Sequence, residues 1–310
     1  MNKNFMLHTD SIIRNTFFSE IGIGISGNSF LLFFHILKLI LGHRPRLTDL
    51  PIGLLSLIHL LMLLVAAFIA TDIFISWTRW DDIICKFLAY LYRSLRGLSL
   101  CTTSMLSVLQ AIILSPRSSC LAKFKHKSPH HISCAILFLS VFYMLISSHL
   151  LVSIIATRNL TSNDFIYFTQ SCSILSLSYF LPSIYYMLLA IREVFLISLM
   201  VISTGYMVAL LCRHRNQAQH LQGTRLSPKT SPEQRATQTI LMLMSFFVLM
   251  SIFDSIISSS RIIFRDDPTF YCIQIFVMHI YATVSPFVFM STEKHIIIFL
   301  RSMGERVINV

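Results

Sequence analysis

Residues 51–75 read PIGLLSLIHLLMLLVAAFIATDIFI, and this stretch decides the class of the fold. It holds a single charged residue, Asp72, near its end. A helix of this length crosses the roughly 30 Å hydrocarbon core of a bilayer, because each residue adds about 1.5 Å. The preceding Thr48-Asp49-Leu50 and Pro51 are typical of a helix start. The stretch therefore predicts a helix that spans a membrane.

The rest of the chain has the same character. Its 310 residues are 55% hydrophobic and 13% charged, whereas a soluble protein has about 25% charged residues. This deficit excludes a soluble globular protein, a disordered chain and a free nucleic-acid-binding protein. The net charge is +11, and in so apolar a chain the excess indicates basic loops on the cytoplasmic face of a bilayer.

Outward from residues 51–75, further stretches meet the length of about 20 apolar residues that a membrane helix needs. The seven predicted spans are Phe17–Leu41, Pro51–Ile75, Ile83–Leu114, Ile132–Ile155, Ile191–Leu211, Ile240–Ile263 and Phe270–Ser291. The remaining residues form tails and loops, so no separate soluble domain fits. We predict an all-α membrane protein, with residues 1–310 forming one seven-transmembrane-helix bundle.

One stretch, Cys172–Ala190, is apolar but ambiguous. As an eighth span it would be separated from the next helix by Arg192 and Glu193 alone. It would also place the two flanking basic loops on opposite sides of the bilayer. We therefore interpret 156–190 as the second extracellular loop, which either dips into the bundle or extends the fifth helix.

Basic residues predict the orientation. Most of the Lys and Arg residues fall in the segments after the first, third, fifth and seventh spans, which places those segments in the cytoplasm. Residues 1–16 are then an extracellular tail, 212–235 the third cytoplasmic loop and 292–310 the cytoplasmic tail. Apolar residues at helical spacing in that tail predict a short amphipathic helix on the inner leaflet; a frayed tail is the alternative.

The predicted outer segments carry two kinds of extracellular chemistry. Asn159-Leu160-Thr161 is an N-glycosylation sequon in the second outer loop. Cys85 begins the third span and Cys172 lies in the long outer loop, so a disulfide between them would hold that loop over the bundle, and the oxidising exterior would preserve it. Cys272 would remain free. The alternative is that all three thiols are reduced and merely packed.

Ionisable residues inside spans point to function, because each costs about 2.5–3.5 kcal/mol at the centre of a membrane helix. Arg93 and Arg96 share one face of the third span, and Glu193 and Asp254 are available counter-charges. One hypothesis is an outer-half cavity where an arginine meets an anionic or polar ligand; the other is a structural Arg–Asp contact between helices three and six. His279 is a further pocket candidate, although a lone histidine in a span more often makes an interhelical hydrogen bond.

No catalytic motif is found. His-Glu-x-x-His, a phosphate-binding glycine loop and Gly-x-Ser-x-Gly are all absent from the sequence. We predict a protein that is not an enzyme and needs no cofactor or metal. A membrane transporter is the rival class, but transporters often have inverted repeats and broken helices, and neither is visible here.

Several short motifs resemble G-protein-coupled receptors. Gly27-Asn28 and residues 55–61, LSLIHLL, are similar to helix signatures of the rhodopsin-like class, with His59 where that class has an aspartate. A narrower family, the vomeronasal type-1 receptors, fits better, and bitter taste receptors are a nearby alternative. The motifs that resemble the vomeronasal family are HRPRLTDLP at 43–51, YR at 92–93, GLSLCTT at 97–103, SVLQAI at 107–112, LSP at 114–116 and SPEQRAT at 231–237.

The resemblance implies a pheromone-type chemoreceptor in the plasma membrane of sensory neurons. It implies a small-molecule ligand and an inhibitory-class heterotrimeric G protein as partners, and no nucleic acid. We expect the ligand among the outer halves of helices three, five, six and seven. Arg213, Arg215 and Arg235 would flank the G-protein cleft at the inner ends, although basic residues there can also serve only as topology signals.

Overall fold

The computed structural model describes residues 3–41, 48–74, 80–116, 134, 137–138, 141–145, 147–148, 151, 154–156, 165–167, 172–175, 180–221, 241–253, 256 and 268–292. Most of them are helical. The helices are α1 (Lys3–Ile40), α2 (Asp49–Phe74), α3 (Asp82–Leu114), α4 (141–145), α5 (Phe180–Leu221), α6 (Leu241–Phe253) and α7 (Pro268–Thr292). Helix α1 packs against α2 and α7, α2 packs against α3, and α3 packs against α5.

Within the described residues, four helical segments are long and apolar enough to cross a membrane. They are Ser11–Ile40, Asp49–Asp72, Asp82–Leu114 and Ala190–Arg213. Helix α6 is apolar but shorter over its described part. The fold is therefore that of a helical membrane protein, while the count of seven spans and the external N-terminus stay predictions.

The burial pattern is that of a bundle surrounded by lipid. Large apolar side chains face outward, such as Phe33 and Ile83, which are 63% and 79% exposed. Polar side chains face inward, including Asn28, His59 and Ser99. A bilayer favours this arrangement because a polar group in hydrocarbon must find its partners inside the protein.

The ends of α3 follow from the local sequence. Asp81 precedes its first turn and Asp82 lies in it, where a negative charge is favoured by the helix dipole. The helix ends at Leu114 because Ser115 precedes Pro116, and a residue before proline avoids the helical region. Ser115 is accordingly extended, with φ −60° and ψ 136°.

Helix α5 is much longer than its membrane-spanning part. It begins at Phe180, with Pro182 in its first turn, where proline is tolerated. Residues 180–190 of the predicted outer loop are thus an extension of the fifth helix, one of the two alternatives that the sequence left open. At its other end α5 continues to Leu221, inside the predicted cytoplasmic loop 212–235. Residues 3–16 are likewise part of α1.

A small antiparallel sheet lies between α4 and α5 in the sequence. Its first strand includes Ile154 and Ile155, which were predicted to end the fourth span, and its other strands lie in the predicted outer loop 156–190. Strands β1 (Ile154–Ala156), β2 (Phe165–Tyr167) and β3 (Cys172–Leu175) are arranged in the order β1-β3-β2. Ala156 pairs with Cys172 and Phe165 with Leu175. Strand β1 contacts α3, so the sheet lies at the Cys85 end of the bundle.

A proline in α7 explains one contact with α1. Pro286 has no N–H, so the carbonyl of Ala282 one turn earlier has no donor within the helix. Asn28 of α1 donates from Nδ2 to that carbonyl at 2.8 Å and is itself 1% exposed. The side chain from one helix therefore replaces the hydrogen bond that the other helix lacks.

Candidate ligand-binding cavity

A cavity of about 70 Å³ lies among helices α2 to α7. Its polar lining includes Arg93, Arg96 and Ser99 of α3 and Glu193 of α5. Arg93 and Arg96 lie roughly 12 and 16 Å along the α3 axis from Cys85. The cavity is therefore in the half of the bundle that carries the Cys85–Cys172 disulfide.

The cavity is small compared with a ligand site. Ligand pockets usually have a volume of about 300–1,000 Å³, several times the value of about 70 Å³ found here. Arg93, Arg96 and Met250 line it with long, unbranched side chains that have several rotamers. A bound molecule would need these side chains to move aside.

Three charged groups meet at the α3–α5 contact. Oε1 of Glu193 lies 3.2 Å from Nη2 of Arg192 and 4.0 Å from Nη2 of Arg93. Glu193 and Arg93 are each about one-third exposed, so water screens their attraction. Since Arg96 also lines the cavity, the lining residues that the structure describes carry two arginines against one glutamate. The guanidinium groups of the lining offer hydrogen-bond donors that suit an anionic or hydrogen-bond-accepting guest.

One wall of the cavity is an aromatic ring pressed against α3. Tyr143 of α4 is 2% exposed and lies so close to Gly97 that a Cβ at that position would overlap the ring. The guanidinium of Arg192 covers the ring, with Cζ 4.0 Å from the centroid, a cation–π contact. Sequence reasoning missed this wall; the available signal was a glycine inside a helix, which costs about 1 kcal/mol relative to alanine and often has a packing reason.

The cavity also touches the buried centre of the bundle. Ser99 and Tyr281, which both line it, contact His59 of α2. Nε2 of His59 lies 2.7 Å from Oγ of Ser99. As a lone histidine in a predicted span, His59 is expected to make an interhelical hydrogen bond, and it contacts hydroxyls of two other helices.

His279 is not brought to the cavity. Its Nε2 lies 3.0 Å from the Tyr92 hydroxyl, and its ring packs edge-on against Phe17 with centroids 5.7 Å apart. It is 3% exposed and makes the interhelical hydrogen bond that was the alternative for this residue. Asp254, the other candidate counter-charge, lies outside the described residues.

The remaining predicted residues lie elsewhere. Cys85 and Cys172 are joined in a disulfide that links α3 to β3, and both are fully buried. Arg213 is exposed on α5. Asn159, Arg235 and the side chain of Arg215 lie outside the described part of the chain. No group of three His, Cys, Asp or Glu residues in that part could hold a metal ion.

Known sequences match the chain over nearly its whole length. The sequence model of the vomeronasal organ pheromone receptor family matches residues 11–302. Vomeronasal type-1 receptor 45 of Mus musculus is 82% identical over 301 residues, covering 97% of this chain and 95% of that protein. Vomeronasal type-1 receptor 47 of Mus musculus is 78% identical over 310 residues and the full length of both chains.

A relative from a second species agrees. Vomeronasal type-1 receptor 100 of Rattus norvegicus is 77% identical over 310 residues, covering 100% of this chain and 95% of that protein. Identity at this level along nearly entire chains shows the family. The chain belongs to the vomeronasal organ pheromone receptor family and is a G-protein-coupled membrane receptor rather than an enzyme.

Proposed function

We propose that this receptor binds a small pheromone-type molecule in the cavity beside Arg93 and Arg96 and activates an inhibitory-class heterotrimeric G protein. Its place would be the plasma membrane of vomeronasal sensory neurons. The observation that supports the ligand site is the cavity near the Cys85 end of the bundle, whose lining includes two arginines and one glutamate. Family membership argues against the taste-receptor and transporter alternatives.

The chemistry of the lining indicates what the ligand contains. Phe247, Met250 and Tyr281 supply apolar surface, and the arginines supply hydrogen-bond donors at one side. A ligand with an apolar body and one anionic or acceptor group fits this division. Arginine suits such a group because its planar guanidinium offers several donors in a fixed geometry.

The arginines can be tested separately from folding. Arg93→Gln and Arg96→Gln would be expressed with a promiscuous G protein and exposed to a panel of volatile compounds and steroids. We expect normal surface display and a response weakened by about tenfold or more, since a hydrogen bond to a charged group contributes about 1.5–3 kcal/mol. Lys86→Gln is the matched control, because Lys86 lies on the same helix but does not line the cavity. An unchanged response in both arginine variants would refute the ligand site.

Two observations support the proposed contact with a G protein: the positive charge near the end of α5 and the length of that helix. Helix α5 extends past Arg213 to Leu221, so its inner end projects beyond the apolar segment Ala190–Arg213. The exposed side chain of Arg213 can meet a partner in the cytoplasm. Deleting Gln217–Thr230 should leave membrane insertion intact and change coupling. Unaltered coupling would mean that this loop is only a spacer.

The sequon at Asn159 belongs to the same proposal, because the second outer loop would be exposed to the glycosylation machinery. Asn159→Gln should remove a glycosidase-sensitive shift in electrophoretic mobility. A mobility that glycosidase does not change in the unaltered receptor would show that the site is unoccupied.

A further inference from the structure

Three helices meet at one buried histidine that is a single hydrogen bond from the cavity. His59 of α2 is 0% exposed. Its Nε2 lies 2.7 Å from Oγ of Ser99 on α3, and its Nδ1 lies 3.0 Å from Oγ of Ser285 on α7. A neutral imidazole has one donor and one acceptor nitrogen, and a hydroxyl can take either role. Both ring nitrogens are therefore satisfied at once.

The same ring makes an aromatic contact that also leads to the cavity. Tyr281 of α7 packs edge-on against His59, with ring centroids 5.3 Å apart. Tyr281 in turn contacts Phe247 of α6, with centroids 4.0 Å apart. Ser99, Tyr281 and Phe247 all line the cavity. We call His59 with Ser99, Tyr281 and Ser285 the His59 junction.

The junction reaches α7 next to the proline that interrupts that helix. Ser285 directly precedes Pro286, which breaks the backbone hydrogen-bond ladder. The carbonyl that this proline leaves unpaired depends on Asn28 of α1. Helices bend most readily where a proline interrupts them. A shift of Ser285 is therefore well placed to change the direction of the inner half of α7.

We infer that His59 is a positioning residue of the receptor's response, which couples the cavity to the interrupted part of α7. The inference rests on the proposed function, since it needs the cavity to be the ligand site. An occupant that displaces Ser99 or Tyr281 displaces the imidazole, and the imidazole carries Ser285 with it. The junction can transmit occupancy only if the occupant prefers one arrangement of these contacts over another.

A purely structural role makes a different prediction. If His59 only stabilises the bundle, its replacement lowers stability and leaves the response of the folded receptor unchanged. If it couples the two regions, the response to an occupant of the cavity falls even in folded receptor. The deciding measurement is therefore the response of folded protein to a defined occupant.

A chemical group attached covalently inside the cavity can serve as the occupant, so the natural ligand need not be known. Met250 lines the cavity, so Met250→Cys receptor in lipid nanodiscs would be treated with benzyl methanethiosulfonate. Nucleotide exchange on a promiscuous heterotrimeric G protein would be measured before and after treatment. The receptor with Met250 intact, treated in the same way, corrects for labelling of Cys212, which is exposed and free.

We expect tethering to change the exchange rate in Met250→Cys receptor. Adding His59→Phe should reduce that change by about fivefold, the effect of losing roughly one hydrogen bond's net contribution. His59→Gln keeps a donor and an acceptor and should retain most of it. The matched control is His35→Phe, because His35 is also buried but its Nδ1 bonds to the Leu31 carbonyl within α1. That control should retain the full change.

The outcomes separate the two proposals. An equal response in His59→Phe and in the parent would overturn the role of His59 and leave the ligand site standing. No response to tethering in the parent would refute the cavity as the activating site, and the role of His59 with it. If His59→Phe does not fold, Ser285→Ala decides, because it removes one hydroxyl of the junction: a reduced response supports the inference and an unchanged one overturns it.

Discussion

At the scale of single residues, a buried polar side chain in this receptor can replace a backbone partner that a proline removes. Asn28 shows this most clearly, because its Nδ2 donates to the Ala282 carbonyl that Pro286 leaves free. In a lipid-surrounded bundle, water is not available to take over such a bond. The cost of removing it should therefore be large for one side chain.

Asn28→Ala should lower the free energy of unfolding by about 1–3 kcal/mol, the penalty for leaving a buried acceptor unpaired. The midpoint of thermal unfolding in nanodiscs measures this. Ser26→Ala is the control, since Ser26 is exposed and its hydroxyl bonds to the Gly22 carbonyl of its own helix. Equal losses of unfolding free energy in the two variants would show that the Asn28 contact stabilises the receptor no more than the exposed hydrogen bond of Ser26 does.

Gly97 is the residue at which size matters most. A Cβ there would overlap the ring of Tyr143, so Gly97→Ala should destabilise the receptor by about 1–3 kcal/mol through overpacking. Gly205→Ala is the matched control on α5, because a Cβ there meets nothing within 4 Å; it should be neutral or stabilising by up to about 1 kcal/mol. Thermal unfolding of both variants checks this, and a tolerated Gly97→Ala would contradict the packing.

The sequence offered Arg93, Arg96 and Glu193 as pocket candidates, with a structural Arg–Asp contact as the alternative, and all three residues line the cavity. It could do so because a charge inside an apolar stretch is visible without any knowledge of the neighbours. Tyr143 and Phe247 could not be found in this way, because an aromatic residue in a membrane helix is ordinary whether it faces lipid or a cavity. For the same reason, the sequence could not show that His279 bonds to Tyr92 instead of lining the cavity.

At the scale of elements, the disulfide fixes the loop sheet to α3. It joins residues separated by 87 positions and attaches β3, the central strand of the loop sheet, to the first turn of α3. A link across so long a loop restricts the unfolded chain strongly. It also keeps the loop sheet at the cavity end of the bundle.

Cys172→Ser should lower stability by about 2–5 kcal/mol, as for native disulfides generally. Thermal unfolding with and without dithiothreitol tests the cause, because reductant should lower the midpoint of the unaltered receptor and leave that of Cys172→Ser unchanged. Cys212→Ser should behave like the unaltered receptor, since that thiol is free. A reductant effect that persists in Cys172→Ser would assign it to another bond.

Helix limits differ from the predicted span limits for a physical reason. The sequence marks where apolar character stops, as at Leu211, but α5 continues to Leu221. A helix needs no apolar residues to continue into water and ends only where a breaker or a competing hydrogen bond intervenes. At α3 the two limits coincide, because Ser115 and then Pro116 follow the last residue of the apolar stretch, Leu114.

At the scale of the whole molecule, the proposed signalling route requires the N-terminus outside and the C-terminus in the cytoplasm. Epitope tags at both ends, probed on unpermeabilised cells, should stain at the N-terminus alone, with the C-terminal tag visible only after permeabilisation. An antibody against a cytosolic protein serves as the permeability control. Equal staining of both tags on intact cells would contradict an odd number of spans.

Membrane class, helical character and family could all be inferred from the order of the amino acids. These properties depend on features within about 20 consecutive residues, namely apolar length, basic flanks and short motifs. The contacts that define the cavity and its neighbourhood needed the three-dimensional structure. His59 bonds to residues 40 and 226 positions away, and Glu193 lies between Arg192 and Arg93 only because α3 and α5 pack at one particular rotation and height. Local sequence does not encode that rotation, since many side chains on both helices together determine how they pack.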